Sequence, residues 1–299
     1  MSKKQPRTPI EKAKRMVRRK TRHGVSRHEA KSKVINVITS ISTEQKYFSC
    51  TKLFYEWLRE KGYSISRINA ANIEEFLIAK AEVCVQKTLD GYRQALQLVH
   101  NVDVSYVVSK RPTILVPRAY RGEQICFLAG LADPDLGFSI RLAAEAGLRA
   151  IELDTISRLS ELSEDSRPWL LERFLGLDDH VRFVVVGKGG LKRKVSISKS
   201  LADELETYRL NQMTIKKQRG INYRKFYSIT GGHSFSQKFS RLSIQRLGWS
   251  TGAHGLRHRF AQNRIHALQM MGFTYAYALK IVAQELGHFG ITNTLTYMR

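Results

Sequence analysis

The sequence predicts a mainly α-helical protein with a small β-sheet, built as a helical N-terminal domain and a larger α+β domain. Three observations carry that prediction. Apolar residues recur at three- and four-residue spacing through most of the 299 residues, the period of a helix with one buried face. One pair of β-rich runs, 181–186 and 192–197, flanks the turn Gly187-Lys188-Gly189-Gly190. A basic stretch holding Pro112 and Pro117 interrupts the periodicity before midchain.

Taken in order, residues 1–33 hold 13 Lys/Arg against only Glu11 and Glu29. So polar a segment cannot bury enough surface to fold alone. It is expected as a basic arm, helical over about 10–20, and too short for a separate folded domain. Residues 34–108 are expected as a small helical domain. Ser42 and Gln45 have the spacing of a capping box, and Tyr47, Cys50, Phe54, Trp57 and Leu58 follow at helical spacing. Gly62 suits a helix C-terminus. Ile73, Phe76 and Leu77 mark a second helix, and Leu89, Tyr92, Leu96 and Val99 a third. At these spacings the aromatics read as core rather than as base-stacking platforms. Residues 109–120 are expected as the linker, with Lys110, Arg111 and Arg118 making it basic.

Residues 121–299 form the larger domain. Helices are expected over 122–132, 136–147 and 150–162, then the two strands, then helices over 199–215, 235–247, 255–271, 275–286 and 292–299. Residues 157–179 carry Glu161, Glu164, Asp165, Glu172, Asp178 and Asp179. They are expected as an insertion on the surface, away from any polyanion. The chain shows no internal repeat and no long low-complexity tract.

Fifty Lys/Arg against 26 Asp/Glu give a net charge of +24. A chain this basic is expected to meet a polyanion, most often nucleic acid. Cys50, Cys84 and Cys126 are odd in number and widely spaced, which fits neither a disulfide framework nor a four-cysteine zinc site. No apolar run is long enough for a membrane-spanning helix, and no secretory signal opens the chain. A reducing, cytoplasmic location is expected, with no membrane. The DNA-facing residues expected in the arm are Lys12, Lys14, Arg15, Arg18, Arg19 and Lys20. Those expected in the linker are Lys110, Arg111 and Arg118.

Four separated motifs carry the chemistry. They are Gly147-Leu148-Arg149-Ala150-Ile151-Glu152, Gly187-Lys188-Gly189, His254-Gly255-Leu256-Arg257-His258, and Leu286-Gly287-His288 with Tyr297 nine residues further on. Each alone is ordinary: an arginine at a helix start usually pairs on the surface, and a Gly-Lys-Gly turn is usually only a turn. His254 and His258 stand four apart, as zinc ligands can, but no Glu follows the first and Arg257 between them is a poor neighbour for a cation. Lys188 is followed by Gly189, so the phosphate-loop pattern of nucleotide hydrolases is absent.

In this order and at these spacings the motifs resemble those of the tyrosine recombinase, or phage integrase, family over about residues 43–299. The helical segment before them resembles that family's core-binding domain. The resemblance implies double-stranded DNA as partner, two domains forming a clamp around it, and a nucleoid-associated location. It implies a site-specific recombinase that cleaves and rejoins strands through a 3′-phosphotyrosyl intermediate and a Holliday junction, without metal, ATP or other cofactor. The expected biological role is integration or excision of a mobile element, by a tetramer on DNA, with accessory DNA-bending proteins as further partners. It places Arg149, Lys188, His254, Arg257, His288 and Tyr297 in the catalytic set, with Tyr297 as nucleophile and Glu152 and His258 in support. Tyr63, Tyr106 and Tyr120 fall outside the motif spacing.

The chemistry suits those residue types. Two arginines present planar forks of donors to non-bridging phosphate oxygens, and a lysine or histidine can protonate the leaving 5′-oxygen. Two alternatives stay open on sequence: a type IB topoisomerase-like enzyme, and a catalytically inactive DNA-binding protein of the same fold. Two departures from the family are expected. Arg149 and Lys188 stand 39 residues apart, and only Met298 and Arg299 follow Tyr297, so the C-terminal helix that couples subunits in many members is not expected.

Overall fold

The computed structural model describes residues 8–23, 36–218 and 221–298, with the side chains of Lys188 and Gln218 outside that description. The parts of the expected arm at 1–7 and 24–33 therefore lie outside the described residues. The chain divides into two compact units, 1–114 and 115–299. No helix of the described residues is long and apolar enough to cross a membrane.

The first unit is helical. Helix α1 (Pro9–Lys20) starts at Thr8, whose backbone N–H donates to Glu11 at 2.9 Å while its hydroxyl accepts from the Glu11 N–H at 3.3 Å. Arg18, Arg19 and Lys20 close the helix, where its dipole favours cations. The expected helix is present, but it is not a free arm. Ala13 and Val17, four apart on one face, are fully buried, Ala13 in the core of this unit and Val17 beside Ile38 and Val99. Two small apolar residues on one stripe suffice once a partner surface exists.

Helix α2 (Ile41–Glu60) carries the core residues Cys50, Phe54 and Leu58. Its N-cap is Ser40, which accepts from the Thr43 N–H at 3.2 Å, so the expected Ser42–Gln45 box is displaced by two residues. The chain already turns helical at Ile41, which puts Ser42 inside the first turn. Helices α3 (Ala70–Ala81) and α4 (Gln86–His100) complete the unit. Phe76 is central, with ring centroids 5.2 Å from Phe54, 5.6 Å from Trp57 and 5.7 Å from Tyr92. These aromatics are spent on packing. Of residues 109–120, the two ends belong to the units: Lys110 N–H donates to Ala81 at 3.0 Å, and the Arg118 guanidinium donates to the Thr251 carbonyl at 2.9 Å.

The second unit opens with α5 (Gly122–Leu131), α6 (Pro134–Glu145) and the single turn α7 (Ala150–Leu153). A three-stranded antiparallel sheet follows in the order β1 (Ser157–Arg158), β2 (Val181–Val186), β3 (Lys192–Ile197). Val186 faces Lys192 across the Lys188 hairpin. The helix expected over 150–162 is thus one turn long. Thr155 and Ser157 instead donate their hydroxyls to the Val186 and Val184 carbonyls of β2, at 3.1 Å each. The expected 157–179 excursion is also tied down. Glu164 holds Arg173 through two bonds of 2.8 and 2.7 Å, and Trp169 packs 4.9 Å from Phe289.

Helix α8 (Lys199–Thr207) stops well before the expected Ile215. The chain becomes β4 (Arg209–Gln218), which pairs with β5 (Ile221–Tyr227) in a separate two-stranded ribbon. β-Branched Thr214 and Ile215 favour that outcome. Then come α9 (Gly232–Leu247), α10 (His254–Met270), α11 (Tyr275–Glu285) and α12 (Thr292–Leu295). The last is one turn rather than the expected 292–299. Phe138, Leu142, Val185, Ile197, Leu205, Phe239 and Leu256 form one core, and Phe260, Leu279, Val282, Leu286 and Tyr297 another.

Candidate active site

Two helix ends of the same design deliver two of the site residues. Helix α6 ends at Gly147, which takes φ +58, and the Leu148 N–H bonds back to Ala143 at 3.1 Å. Helix α11 ends at Gly287, with φ +74, and the His288 N–H bonds back to Ala283 at 2.7 Å. Both are left-handed glycine caps, which reverse the chain at low cost. Arg149 follows the first and His288 belongs to the second. A side chain at Gly147 would also collide with Phe260, 2.4 Å from its Cβ.

Arg257, on the first turns of α10, is fully buried and reads both caps. Its guanidinium donates to the carbonyls of Gly147 and Leu286, and its Nε donates to the Tyr297 hydroxyl at 3.1 Å. Burial, then the nearby Arg149 charge, pull its pKa down to about 10, which leaves it charged at neutral pH. Tyr297 follows α12, is only 4% exposed, and has its own carbonyl held by Gln262 at 2.9 Å. Three histidines surround its ring. His254 lies 5.2 Å from it, His258 4.8 Å and nearly perpendicular, and His288 5.8 Å and parallel.

Beneath them sits Glu152, with no exposed surface. It accepts from the Arg149 N–H at 2.8 Å, from Arg149 Nη1 at 2.7 Å and from Arg193 Nη2 at 2.7 Å, and Arg257 Nη1 stands 3.7 Å away. Burial opposes its charge, but Arg193, Arg257 and Arg149 outweigh burial and hold the carboxyl well below the usual carboxylate range. Arg193 was not foreseen. It shares the inward phase of β3 with Val195 and Ile197, and a charge on the apolar phase of a strand is the signal that could have found it. It also donates to the Glu285 carbonyl at 2.5 Å. Glu285 in turn holds Arg264 at 2.9 and 2.7 Å and the Phe174 N–H at 2.9 Å. The expected insertion is thereby wired to the site.

His288 Nε2 lies 3.0 Å from Arg149 Nη2, and its Nδ1 lies 3.0 Å from the Thr294 hydroxyl. An arginine only donates, so Nε2 is the acceptor and Nδ1 carries the proton. Desolvation, then the Arg257 and Arg149 charges, lower His288 to about 3. Desolvation, followed by the Arg257 charge, lowers His254 to about 4, although the residue keeps substantial exposure to solvent. Both rings are therefore neutral at pH 7 in the free protein.

The structure thus gathers Arg149, His254, Arg257, His288 and Tyr297 with Glu152 and His258. Lys188 lies at the tip of the β2–β3 hairpin. Its neighbour Gly187 presses on the same pair, since a Cβ there would stand 2.9 Å from Glu152 Oε1 and 3.5 Å from Arg149 Nη1. Lys14, Arg15, Arg18 and Arg19 are exposed on α1, with Lys12 and Lys20 half-buried. Lys110 pairs with Glu82 at 2.5 Å, Arg111 is exposed, and Arg118 is half-buried against Thr251. Among the described residues no three His, Cys, Asp or Glu side chains converge as a metal site.

No family model matches the sequence. It is 22% identical over 267 residues to the tyrosine recombinase XerD of Ralstonia nicotianae, covering 82% of this chain and 79% of that protein. Among solved structures it is similar to the XerH site-specific recombinase bound to a palindromic difH substrate in a post-cleavage complex. That likeness has a TM-score of 0.61 and 16% identity, covering 98% of this chain and 94% of the other. A lambda integrase dimer bound to a COC′ core site gives a TM-score of 0.52 at 16% identity, covering 87% and 89%. The chain has the tyrosine recombinase fold and resembles that family in sequence.

Proposed function

We propose that this protein is a site-specific DNA recombinase in which Tyr297 cleaves and rejoins one strand at a time. The observation that carries the reading is the Tyr297 hydroxyl held 3.1 Å from Arg257 Nε, with Arg149 bonded to the His288 ring stacked beside it. In the reaction the Tyr297 oxygen attacks the scissile phosphorus. The phosphotyrosyl bond forms as the bond to the 5′-oxygen breaks, which conserves the ester for rejoining. Arg149 and Arg257 hold the non-bridging oxygens and offset the charge that develops on them. Glu152 keeps the two guanidiniums oriented and partly neutralised before DNA arrives.

Neutral His254 is suited to take the tyrosine proton, and neutral His288 to orient Arg149. The proton for the departing 5′-oxygen is assigned to Lys188, whose hairpin abuts Glu152 and Arg149. His258 packs on the nucleophile's ring and supports its position. Double-stranded DNA is bound by the second unit at the site and by the first unit through the basic face of α1. Strand exchange proceeds through a Holliday junction within a tetramer, in the integration or excision of a mobile element. The likeness to XerD, XerH and lambda integrase supports the reaction class.

Covalent capture tests the reading. The full chain is mixed with sheared DNA, denatured rapidly, and the DNA attached to protein is recovered and sequenced. A Tyr297-dependent adduct enriched at one sequence is expected, and Tyr297→Phe should remove it while DNA binding persists. Adduct retained in Tyr297→Phe would overturn the nucleophile assignment. Adducts scattered over all sequences would favour a topoisomerase.

A further inference from the structure

Residues 209–227 contain Arg209, Lys216, Lys217, Arg219, Arg224 and Lys225 and no acidic residue. The ribbon β4–β5 sorts Lys216, Lys217, Arg224 and Lys225 onto two faces. Cross-strand partners share a face and successive residues alternate. Lys225 lies opposite Thr214, and Lys216 opposite Tyr223, on one side. Arg224 lies opposite Ile215, and Lys217 opposite Asn222, on the other.

The first face is turned to the body of the unit. Lys216 and Lys225 reach the buried Asp154 at 2.8 and 3.5 Å. Asp154 is the C-cap of α7, the turn that carries Glu152, so the distal arm of the ribbon is anchored to the same short helix. A bulge lets it reach that point: the register slips between Arg209 and Thr214, which bends the arm relative to its base. The base is fixed separately by Arg209 on Glu161. A lone two-stranded ribbon is marginal in water, and these ion pairs hold this one in place.

The second face is open. Lys217, Asn222 and Arg224 are exposed, as is Ile215 at 57%. Neither Lys217 nor Arg224 has an acidic partner among the described residues, whereas Arg141, Arg158 and Arg209 each pair with a nearby Glu. The inward cations serve the fold and the outward ones have no structural use. A rigid two-stranded ribbon with uncompensated cations on its free face has the shape and charge for duplex DNA.

We propose that the outward face of the distal ribbon, with Lys217 and Arg224 as phosphate ligands, is a DNA-backbone contact that flanks the cleavage site. The proposal rests on the reading of the chain as a DNA recombinase. It adds to that reading a surface outside the recombinase motifs. Neutralising two phosphate contacts should flatten the dependence of log K on log salt by about 1.8.

The test compares wild type, K217A/R224A and the charge-keeping K217R/R224K in binding a fluorescein-labelled duplex across a sodium chloride series. The expected result is the shallower slope for K217A/R224A, an unchanged slope for K217R/R224K, and the same far-UV circular dichroism for all three. Equal slopes for wild type and K217A/R224A would overturn the proposal, and a change in self-association at equal slope would reassign the face to a second copy of the chain. A wild type without salt-dependent DNA binding would instead overturn the recombinase reading, and the proposal with it. Tyr297-dependent adducts with equal slopes would leave that reading standing and remove only the ribbon contact.

Discussion

In the first unit the deepest interior is aromatic and aliphatic, with Phe54, Phe76, Leu77 and Leu96 at zero exposure. In the second, the interior beneath the candidate active site holds Glu152, Arg193 and Arg257 at no more than 1% exposure, continued by Glu285 and Arg264. The first arrangement gains free energy from every buried methylene. The second must overcome the desolvation of several charges, and replacing such groups by apolar ones is often neutral or stabilising. A buried ionic cluster is therefore poorly explained by stability alone. Its geometry explains it better: each arginine is fixed by two or more acceptors, so the guanidiniums of Arg149 and Arg257 are held oriented at one place. Packing builds the first unit, and oriented charge builds the site in the second.

The largest expected effect tests that contrast at Glu152. Glu152→Gln leaves three arginines sharing a neutral amide and should destabilise the second unit by about 3–5 kcal/mol. It should also abolish adduct formation. The counterpart, Phe76→Ala, should cost the first unit about 3–5 kcal/mol through its cavity. Urea unfolding distinguishes them, because Trp57 reports the first unit and Trp169 and Trp249 the second. The comparison breaks if Glu152→Gln leaves the Trp169 and Trp249 transition in place.

A smaller effect lies in pH. His254 and His288 are lowered to about 4 and about 3, and His100 in the first unit to about 4 by burial. Unfolded imidazoles protonate near 6.5. Between 6.5 and those lowered values the unfolded chain binds more protons, so the stability from neutral histidine is complete above pH 6.5 and is lost as pH falls. His288→Asn should flatten this loss for the second unit only, and His100→Asn for the first only. Equal flattening of both by either change would show that the units do not titrate separately.

The smallest effect concerns a helix end. Ser40→Ala should cost about 1 kcal/mol because it removes the cap on the Thr43 N–H. Ser42→Ala should cost much less. The reverse order, read from urea midpoints, would restore the cap to Ser42.

The two strands 181–186 and 192–197 were legible to the residue, because Val-rich runs on either side of a glycine turn leave few other structures. So were most long helices, whose apolar stripes are local. The helix over 150–162 and the far half of 199–215 were not. There the outcome turns on partners distant in sequence: Val184 and Val186 for Thr155 and Ser157, and β5 for β4. A periodicity argument sees only one chain segment and has no means to price a strand that arrives later.

The candidate site divides the same way. Resemblance to a family, carried by motif order and spacing, named Arg149, Lys188, His254, Arg257, His288 and Tyr297 as candidates, and the fold brings all but the undescribed Lys188 side chain together. Sequence alone also determined the excess of cations and the break near Pro112 and Pro117. Only tertiary structure decided that Arg193 and Glu285 join the site, that α1 docks through Ala13 and Val17, and that β4–β5 sorts its lysines into anchored and free. The reason is physical. Residue type fixes what a group can do, but burial and the approach of distant partners fix whether its charge is compensated, and that is a property of the packed chain.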